Sequence, residues 1–426
     1  MEISELHIQR AWQHQLFEKG NLFTTQGEAI EIDHPGYFHR DEGPDFFHAH
    51  IRIGDTLWAG NVEIHHRSSE WYQHGHDHQS SYNNVILHVV LEEDRIIYRN
   101  NGEKIPCFVM QMLPEYKDAI ESWERSNHWL RCGVEASQIS GLSFHFMLQR
   151  LAIERLEYKS EEMKRMLKWS HNDWRHVFYY LLARSFGGRI NSEPMEQLAR
   201  SISLSILSKE HGDRDNLEAL FFGQAGLLPN KNQDKWVEML SERYRFLQNK
   251  YGLSSMKKGV WKFMRTRPTN FPTVRIAQFV SLLYHSQHLL SQCMEADSIK
   301  QVRALLLSTP SSYWNDHFRF EKKSVCRVKK TSRNFIDTII INTIIPFLMV
   351  YGESQDRVMW KEKALRWLES LPCEKNYITS TWIKQGFVLS NAMDSQALIE
   401  LHHRYCIKNK CLECGIGEAI FEKLKS

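Results

Sequence analysis

Two runs of alternating residues near the start of the chain constrain its fold most. From Asp45 to Ile53 the odd positions read Asp, Phe, Ala, Ile, Ile, and the even positions from 46 to 52 read Phe, His, His, Arg. That is the period-2 pattern of a half-buried strand. From Leu57 to His65, Trp58, Gly60, Val62 and Ile64 fall on one face. Glu63 and His65 therefore share the other, because residues i and i+2 of a strand point the same way. Gly54-Asp55-Thr56, between the runs, has the composition of a tight turn. The pattern predicts an antiparallel hairpin with Asp45 on one strand and Glu63 on the other. Two carboxylates converging from paired strands can hold a hard cation, Mg²⁺ or Mn²⁺, which favours oxygen ligands and leaves positions for water and phosphate oxygens.

The segments Gly43-Pro44-Asp45-Phe46 and Gly60-Asn61-Val62-Glu63-Ile64-His65 resemble the metal site of the PD-(D/E)XK nuclease superfamily, in which Pro-Asp is followed by Glu-x-(basic). His65 stands where that superfamily usually has Lys. The resemblance implies a restriction-endonuclease-like domain with Asp45 and Glu63 as metal ligands. His65 would then orient or deprotonate the attacking water, a task an imidazole performs near neutral pH. The plainer alternative makes Asp45 the start of a strand and Glu63 a solvated strand residue.

Histidine is dense around this hairpin, and Asn61, His76, His78 and His88 are candidate supporting residues. His74-Gly75-His76-Asp77-His78 is one residue short of the His-x-His-x-Asp-His loop of metallo-β-lactamase-type hydrolases. It keeps a His-bound transition metal as an alternative, beside a simple polar loop. His88, inside Val85-Ile86-Leu87-His88-Val89-Val90, reads as a hydrogen-bonded core or near-site histidine rather than a ligand.

The order of elements predicts an α+β protein. An amphipathic helix containing Leu6, Ala11, Trp12, Leu16 and Phe17 precedes strand-like runs at 29–32, 45–53, 57–65, 85–91, 95–99 and 107–112. After residue 140 the periodicity is helical, with segments at 143–169, 173–186, 194–209, 231–250, 274–290, 333–350, 354–370 and 391–405. The expected division is a nuclease-like α/β domain over 1–115, a linker over 116–140 and an all-α domain over 141–426. The longest apolar stretch, 335–351, contains Asp337, Asn342 and Pro346 and reads as too short to span a membrane. The first residues lack a basic stretch leading into an apolar run. A cytoplasmic protein without membrane contact is expected, its eight cysteines reduced or metal-bound.

Net charge is only +3, but its distribution is uneven. Between Arg243 and Arg275 there are nine Lys or Arg residues and no Asp or Glu, interleaved with Tyr244, Phe246, Tyr251, Trp261, Phe263 and Phe271. A basic surface with aromatic platforms suits nucleic acid, with Lys257, Lys258, Lys262, Arg265, Arg267 and Arg275 as the contacts. The alternative is a solvated face whose aromatics belong to the helical core. A second basic run, 319–333, contains Lys322, Lys323, Arg327, Lys329 and Lys330, with Glu321 its only acid. Near the C-terminus, Cys406, Cys411 and Cys414 have the Cys-x4-Cys-x2-Cys spacing of plant-type iron–sulfur ligation. Zinc or an iron–sulfur cluster is the candidate cofactor there, with Cys326, Cys373, Cys132 or His403 open as the fourth ligand.

Taken with Glu218-Ala219-Leu220-Phe221-Phe222-Gly223-Gln224-Ala225-Gly226, Arg267-Pro268-Thr269-Asn270-Phe271-Pro272 and Cys414-Gly415-Ile416-Gly417, these segments resemble, over most of the chain, an uncharacterised bacterial family known only as a domain of unknown function. The expected function is a metal-dependent nuclease acting on DNA or RNA. The alternatives are a non-catalytic nucleic-acid-binding protein on the same scaffold and a His-metal hydrolase of a small molecule.

Overall fold

The computed structural model describes residues 3–39, 42–137, 139, 141–229, 234–320 and 322–425. Residues 231–233 of the expected helix, 138 and 140 of the expected linker, and Glu321 lie outside the described residues. The chain begins with helix α1 (Glu5–His14). The Ser4 amide donates to His7 Nδ1 at 3.0 Å and holds its first turn. Ile8, Ala11 and Trp12 are buried, and the Trp12 indole donates to the Pro35 carbonyl at 2.9 Å. This apolar face seats α1 on the sheet.

The strands are β1 (Leu22–Phe23), β2 (Ala29–His34), β3 (Tyr37–Phe38), β4 (Phe46–Ile53) and β5 (Thr56–Arg67). After the single turn α2 (Glu70–Gln73) come β6 (Val85–Glu92) and β7 (Cys107–Val109). Their order in the sheet is β1-β2-β4-β5-β6-β7, with β3 also on β4. β5 pairs antiparallel with β4 and parallel with β6. The expected hairpin is present, turning tightly between Ile53 and Thr56.

Three local expectations are corrected. Phe46, not Phe47, is buried with Ala49, Ile51 and Ile53. The register slips between Phe46 and Ala49, where His48 takes φ +59°. One extra residue in β4 thus breaks the alternation beside Asp45, as a β-bulge does. In β5 the outer half is open, with Leu57 53% and Trp58 41% exposed, whereas residues 60–65 are buried on both faces. Glu63 is consequently no solvated strand residue. Finally, 95–99 is not a strand. The Asp94 carboxylate accepts from Ser68 and Ser69, and the Arg95 amide donates to Ser68 Oγ, which ties the segment to the end of β5.

The remaining elements are α3 (Pro114–Arg125), α4 (Gly133–Ala136), α5 (Gly141–Trp169), α6 (Trp174–Arg200), α7 (Leu204–Glu210), α8 (Arg214–Gln224), α9 (Lys235–Tyr251), α10 (Pro272–His285), α11 (Leu289–Glu295) and α12 (Ile299–Leu306). A small hairpin, β8 (His317–Arg319) with β9 (Lys322–Lys323), precedes α13 (Arg333–Ile339), α14 (Ile345–Ser354), α15 (Val358–Ser370), α16 (Tyr377–Lys384), α17 (Ala392–Arg404) and α18 (Gly415–Leu424). Two compact units result. The first comprises 1–151, 376–388 and 398–426, the second 152–375 and 389–397. The C-terminal helices therefore do not group with the helical unit as the boundaries of 1–115 and 141–426 imply. Phe421 of α18 packs against Tyr116 and Trp123 of α3 and against His14 of α1.

The second unit is all-helical apart from β8 and β9. Glu218-to-Gly226 is a core motif there: a Cβ at Gly223 would lie 2.0 Å from Tyr244 Cγ, so glycine lets α8 touch α9. The apolar stretch 335–351 sits inside an unbroken 22-residue helical run, Arg333–Ser354, longer than the sequence suggested. A π turn at 340–344 carries it past Pro346. By length and composition this run is able to cross a membrane, yet 72% of its apolar window is buried inside the protein.

At Gly60 a Cβ would meet Asn84 O at 2.6 Å and Ile86 Cγ2 at 2.4 Å, so only glycine permits β5 to approach the entry to β6 this closely. Gly60→Ala is expected to destabilise the protein by about 1–3 kcal/mol, as overpacking does. Urea unfolding should show a lower midpoint with an unchanged slope.

Candidate metal centre

Glu63 and His65 project from the buried half of β5. Asp45 lies just before β4, and its amide donates to Glu63 Oε2 at 3.1 Å. The Asp45 carboxylate accepts from the Ile64 amide at 3.0 Å through one oxygen and from Gln9 Nε2 at 2.8 Å through the other. Gln9 also donates to Glu5 Oε1 at 3.1 Å, so α1 delivers a third carboxylate to the neighbourhood. The two sequence-predicted carboxylates are adjacent, as the hairpin argument requires.

The turn after α2 adds histidines. His65 Nε2 lies 3.0 Å from His74 Nδ1 and 3.6 Å from Glu63 Oε1. His76 Nε2 lies 3.1 Å from the same Glu63 oxygen. Ligand atoms of His65, His74 and His76 all fall within 4.8 Å of one another. Behind them His88, on β6 in register with Glu63, places Nε2 2.8 Å from His65 Nδ1. The Tyr82 ring stacks on His76 at 3.8 Å, and Trp71 meets His76 and His88 edge-on. Glu63 is 5% exposed and His65 1%, while His74 is exposed. The cluster thus has an apolar back and one wet side.

Burial sets the protonation states. It pushes the Glu63 and Asp45 carboxyls well above the ordinary carboxylate range, Asp45 being raised further by Glu63 and Glu5. Burial also raises Glu5. It lowers His65 to about 2, with the neighbouring imidazoles adding to the effect, and takes His88 to about 3 and His76 to about 4. The cluster is therefore poised with neutral imidazoles, the form that binds metal.

The residues offer donors of the kind a divalent transition metal takes. Metal–nitrogen and metal–oxygen bonds of about 2.0–2.1 Å imply ligand edges of about 3.3 Å in a tetrahedron and about 3.0 Å in an octahedron; the His65–His74, His65–Glu63 and His76–Glu63 separations are 3.0, 3.6 and 3.1 Å. Nδ1 of buried His76 lacks a hydrogen-bond partner, and its Nε2 has the 3.1 Å contact with Glu63 Oε1. If His65 ligates through Nε2, its Nδ1–H donates to His88. That is the outer-shell hydrogen bond that fixes a ligating imidazole's tautomer.

The other candidates are placed as follows. Asn61 is buried in β5, its amide donating to the Asn84 carbonyl. His78 is exposed and pairs with Asp77, away from the cluster. In the helical unit, Lys257, Lys258, Lys262, Arg265 and Arg267 are exposed on the loop between α9 and α10, which Asn191 holds by two hydrogen bonds to the Lys262 backbone. Arg275 is half-buried with its guanidinium over the Phe335 ring. Of the aromatics of this stretch, Phe246 is exposed, whereas Trp261, Phe263 and Phe271 pack inward. Trp261 is buried and donates to the Ala225 carbonyl, and Phe263 and Phe271 pack together under Arg319. Lys329 of the second basic run is also buried, donating to the Trp314 and Asn315 carbonyls. Sequence reasoning missed Glu5 and Gln9, and placed His74 in a motif that kept a His-bound transition metal as an alternative, apart from the carboxylate site. Their i, i+4 spacing puts Glu5 and Gln9 on one face of α1, but nothing in the sequence says which strand that face meets.

The fold and site define a mixed α/β protein with a buried carboxylate–histidine cluster on its sheet. The chain belongs to the family described as protein of unknown function (DUF2851), whose model matches residues 5–377. No curated protein and no solved structure matches it.

Two outcomes follow from the electrostatics. Because the buried carboxyls titrate above their unfolded values, their contribution to metal-free stability is full at acid pH and is lost as pH rises through the folded values. The depressed histidines act oppositely, costing stability as pH falls below about 6.5. Glu63→Gln should therefore flatten the decline in metal-free Tm between about pH 4.5 and about pH 8. It should also remove the wild-type rise in Tm on adding Mn²⁺ or Zn²⁺, a rise worth about 2.7 kcal/mol at a hundredfold excess over Kd. His88→Ala should weaken metal binding about 10–100-fold by freeing His65, read by calorimetric titration.

Proposed function

We propose that this protein is a metal-dependent phosphodiesterase of the cytoplasm acting on nucleic acid, with its metal centre on a restriction-endonuclease-like domain. The observation that carries the reading is the convergence of Glu63, His65, His74 and His76 beside Asp45. A leading helix, a hairpin carrying the carboxylates and a crossover to a parallel strand support the fold assignment. The donor set moves the preferred cation from Mg²⁺ toward Mn²⁺ or Zn²⁺, since imidazole suits the later metals.

A divalent cation here supplies Lewis acidity to a phosphoryl oxygen and to the attacking water. The residues do the rest. Glu63, His65, His74 and His76 would hold the cation with His88 orienting His65, and a metal that takes more than four ligands, as octahedral Mn²⁺ does, would keep positions for the water and the phosphoryl oxygen. His65 itself is buried, with both ring nitrogens engaged, and is a ligand in this reading, not the base the sequence suggested. Glu5, partly exposed and raised by burial, is the proton acceptor, because a carboxyl tuned upward is a better base near neutral pH. Gln9 positions Glu5 and Asp45 together. On the helical unit itself, the exposed basic loop with Lys257, Lys258, Lys262, Arg265 and Arg267 offers a surface for nucleic-acid phosphates.

The His74 and His76 contribution also favours a second reading, a metal hydrolase of a small phosphoester. The test is cleavage of labelled single- and double-stranded DNA and RNA, alongside a chromogenic phosphodiester, with Mg²⁺, Mn²⁺ or Zn²⁺. The proposal predicts nucleic-acid cutting that is strongest with Mn²⁺ or Zn²⁺ and abolished by Glu63→Ala and His74→Ala. Turnover of the small ester alone would favour the second reading. Nucleic-acid binding without cutting in every metal would make the protein a binder on this scaffold.

A further inference from the structure

The cysteines near the C-terminus have found a partner that their sequence spacing did not identify. Cys406, Cys411 and Cys414 line one small cavity of the first unit together with Cys132, which lies far upstream, just before α4. Cys132 and Cys414 are buried, and Cys406 and Cys411 are partly so. Trp129, Trp382 and Leu401 complete an apolar wall. All four are free thiols.

Burial raises all four thiols, Cys414 to about 11, and two features of the surroundings offset part of that cost. Cys414 caps α18, and its sulfur accepts the Gly417 amide at 3.3 Å, so the positive end of a ten-residue helix faces it. Gly417 leaves room for this turn, since a Cβ there would lie 2.1 Å from the Cys411 carbonyl oxygen. The Arg131 guanidinium offsets part of the burial that raises the Cys411 thiol. Burial and mutual repulsion otherwise hold the thiols of Cys132 and Cys406 protonated. The four cysteines line one apolar pocket, but no three of their sulfurs lie within 4.8 Å of one another, a spread that a multi-iron cluster spans and that a single zinc ion would close by drawing them together.

We infer that Cys132, Cys406, Cys411 and Cys414 form a second metal centre, a four-thiolate site for zinc or an iron–sulfur cluster, that fastens the C-terminal helices to the segment before α4. Cys326 and Cys373 belong to the other compact unit and are not ligands. The centre is structural, because four protein thiolates leave no open position on zinc. Through α18, whose Phe421 packs on His14 and Tyr116, it braces the helix that carries Glu5 and Gln9. This inference does not depend on the hydrolase reading.

The test uses the full chain purified without oxygen, in a Glu63→Ala background so that metal at the first centre does not contribute. Metal and acid-labile sulfide are counted and the visible spectrum recorded. About one zinc per chain without sulfide, or iron with sulfide and charge-transfer absorption, is expected, and the difference between these results names the centre. Cys132→Ser and Cys406→Ser should each lose it, while Cys326→Ser and Cys373→Ser keep it. Should Cys132→Ser not fold, cobalt substitution of the unmutated cysteines provides the same readout through thiolate-to-cobalt bands. A protein that stays free of metal after reconstitution with zinc or with iron and sulfide, a Cys132→Ser variant with full metal content, or a cobalt spectrum without thiolate bands would overturn the inference.

Discussion

The interaction on which the rest depends is the burial of Glu63 against the imidazoles of His65 and His76 on a strand whose two edges pair in opposite senses. β5 takes β4 antiparallel on one side and β6 parallel on the other. This sandwiching removes water from Glu63 and His65. Burial raises the carboxyls of Glu63 and Asp45 and lowers His65, His76 and His88. Trp71 and Tyr82 wall the cluster on one side, with His88 hydrogen-bonded to His65 behind it.

The elements around the cluster are consistent with it. The bulge at Phe47-His48 ends the regular pairing of β4 just after Asp45, whose amide and carboxylate then bind Glu63 and the Ile64 amide. Gly60 allows β5 to close on the turn before β6. The segment 68–84 makes the crossover between parallel strands and, in doing so, brings His74 and His76 over the end of β5. One connection thus satisfies topology and supplies ligands. Buried imidazoles are expensive without a proton to share or a metal to bind, and the unpartnered Nδ1 of His76 is consistent with a ligand at this cluster.

Much of this was legible in the sequence. The i, i+2 relation of Glu63 and His65 and the turn at Gly54-Asp55 follow from strand periodicity, and the structure pairs these residues with Asp45 as that periodicity requires. The bulge was not legible, since one extra residue leaves Phe46 and Phe47 equally apolar and the alternation equally plausible on either face. Glu5 and Gln9 were hidden because an amphipathic helix announces its buried stripe and not the strand that it meets. His74 and His76 appeared in a motif that suggested a His-bound metal only as an alternative, and their convergence on the Glu63 strand was hidden because it depends on a crossover whose path no local propensity fixes. In the basic stretch, Trp261 and Phe263 looked like stacking platforms, yet aromatic residues carry the largest apolar area and pack inward when a core is available. Cys132 was one of four possible partners for the C-terminal cysteines, and only the return of the last helices to the first unit distinguishes it.

The central claim is that Glu63, His65, His74 and His76 ligate one cation. Diffraction at the manganese absorption edge from crystals soaked in Mn²⁺ tests it most directly. The account predicts an anomalous peak about 2.0–2.2 Å from Glu63 Oε1 and from a nitrogen of each histidine. A peak held by Asp45 and Glu63 without the imidazoles, or saturated crystals in which His65 and His74 remain hydrogen-bonded to each other with no peak between them, would contradict it.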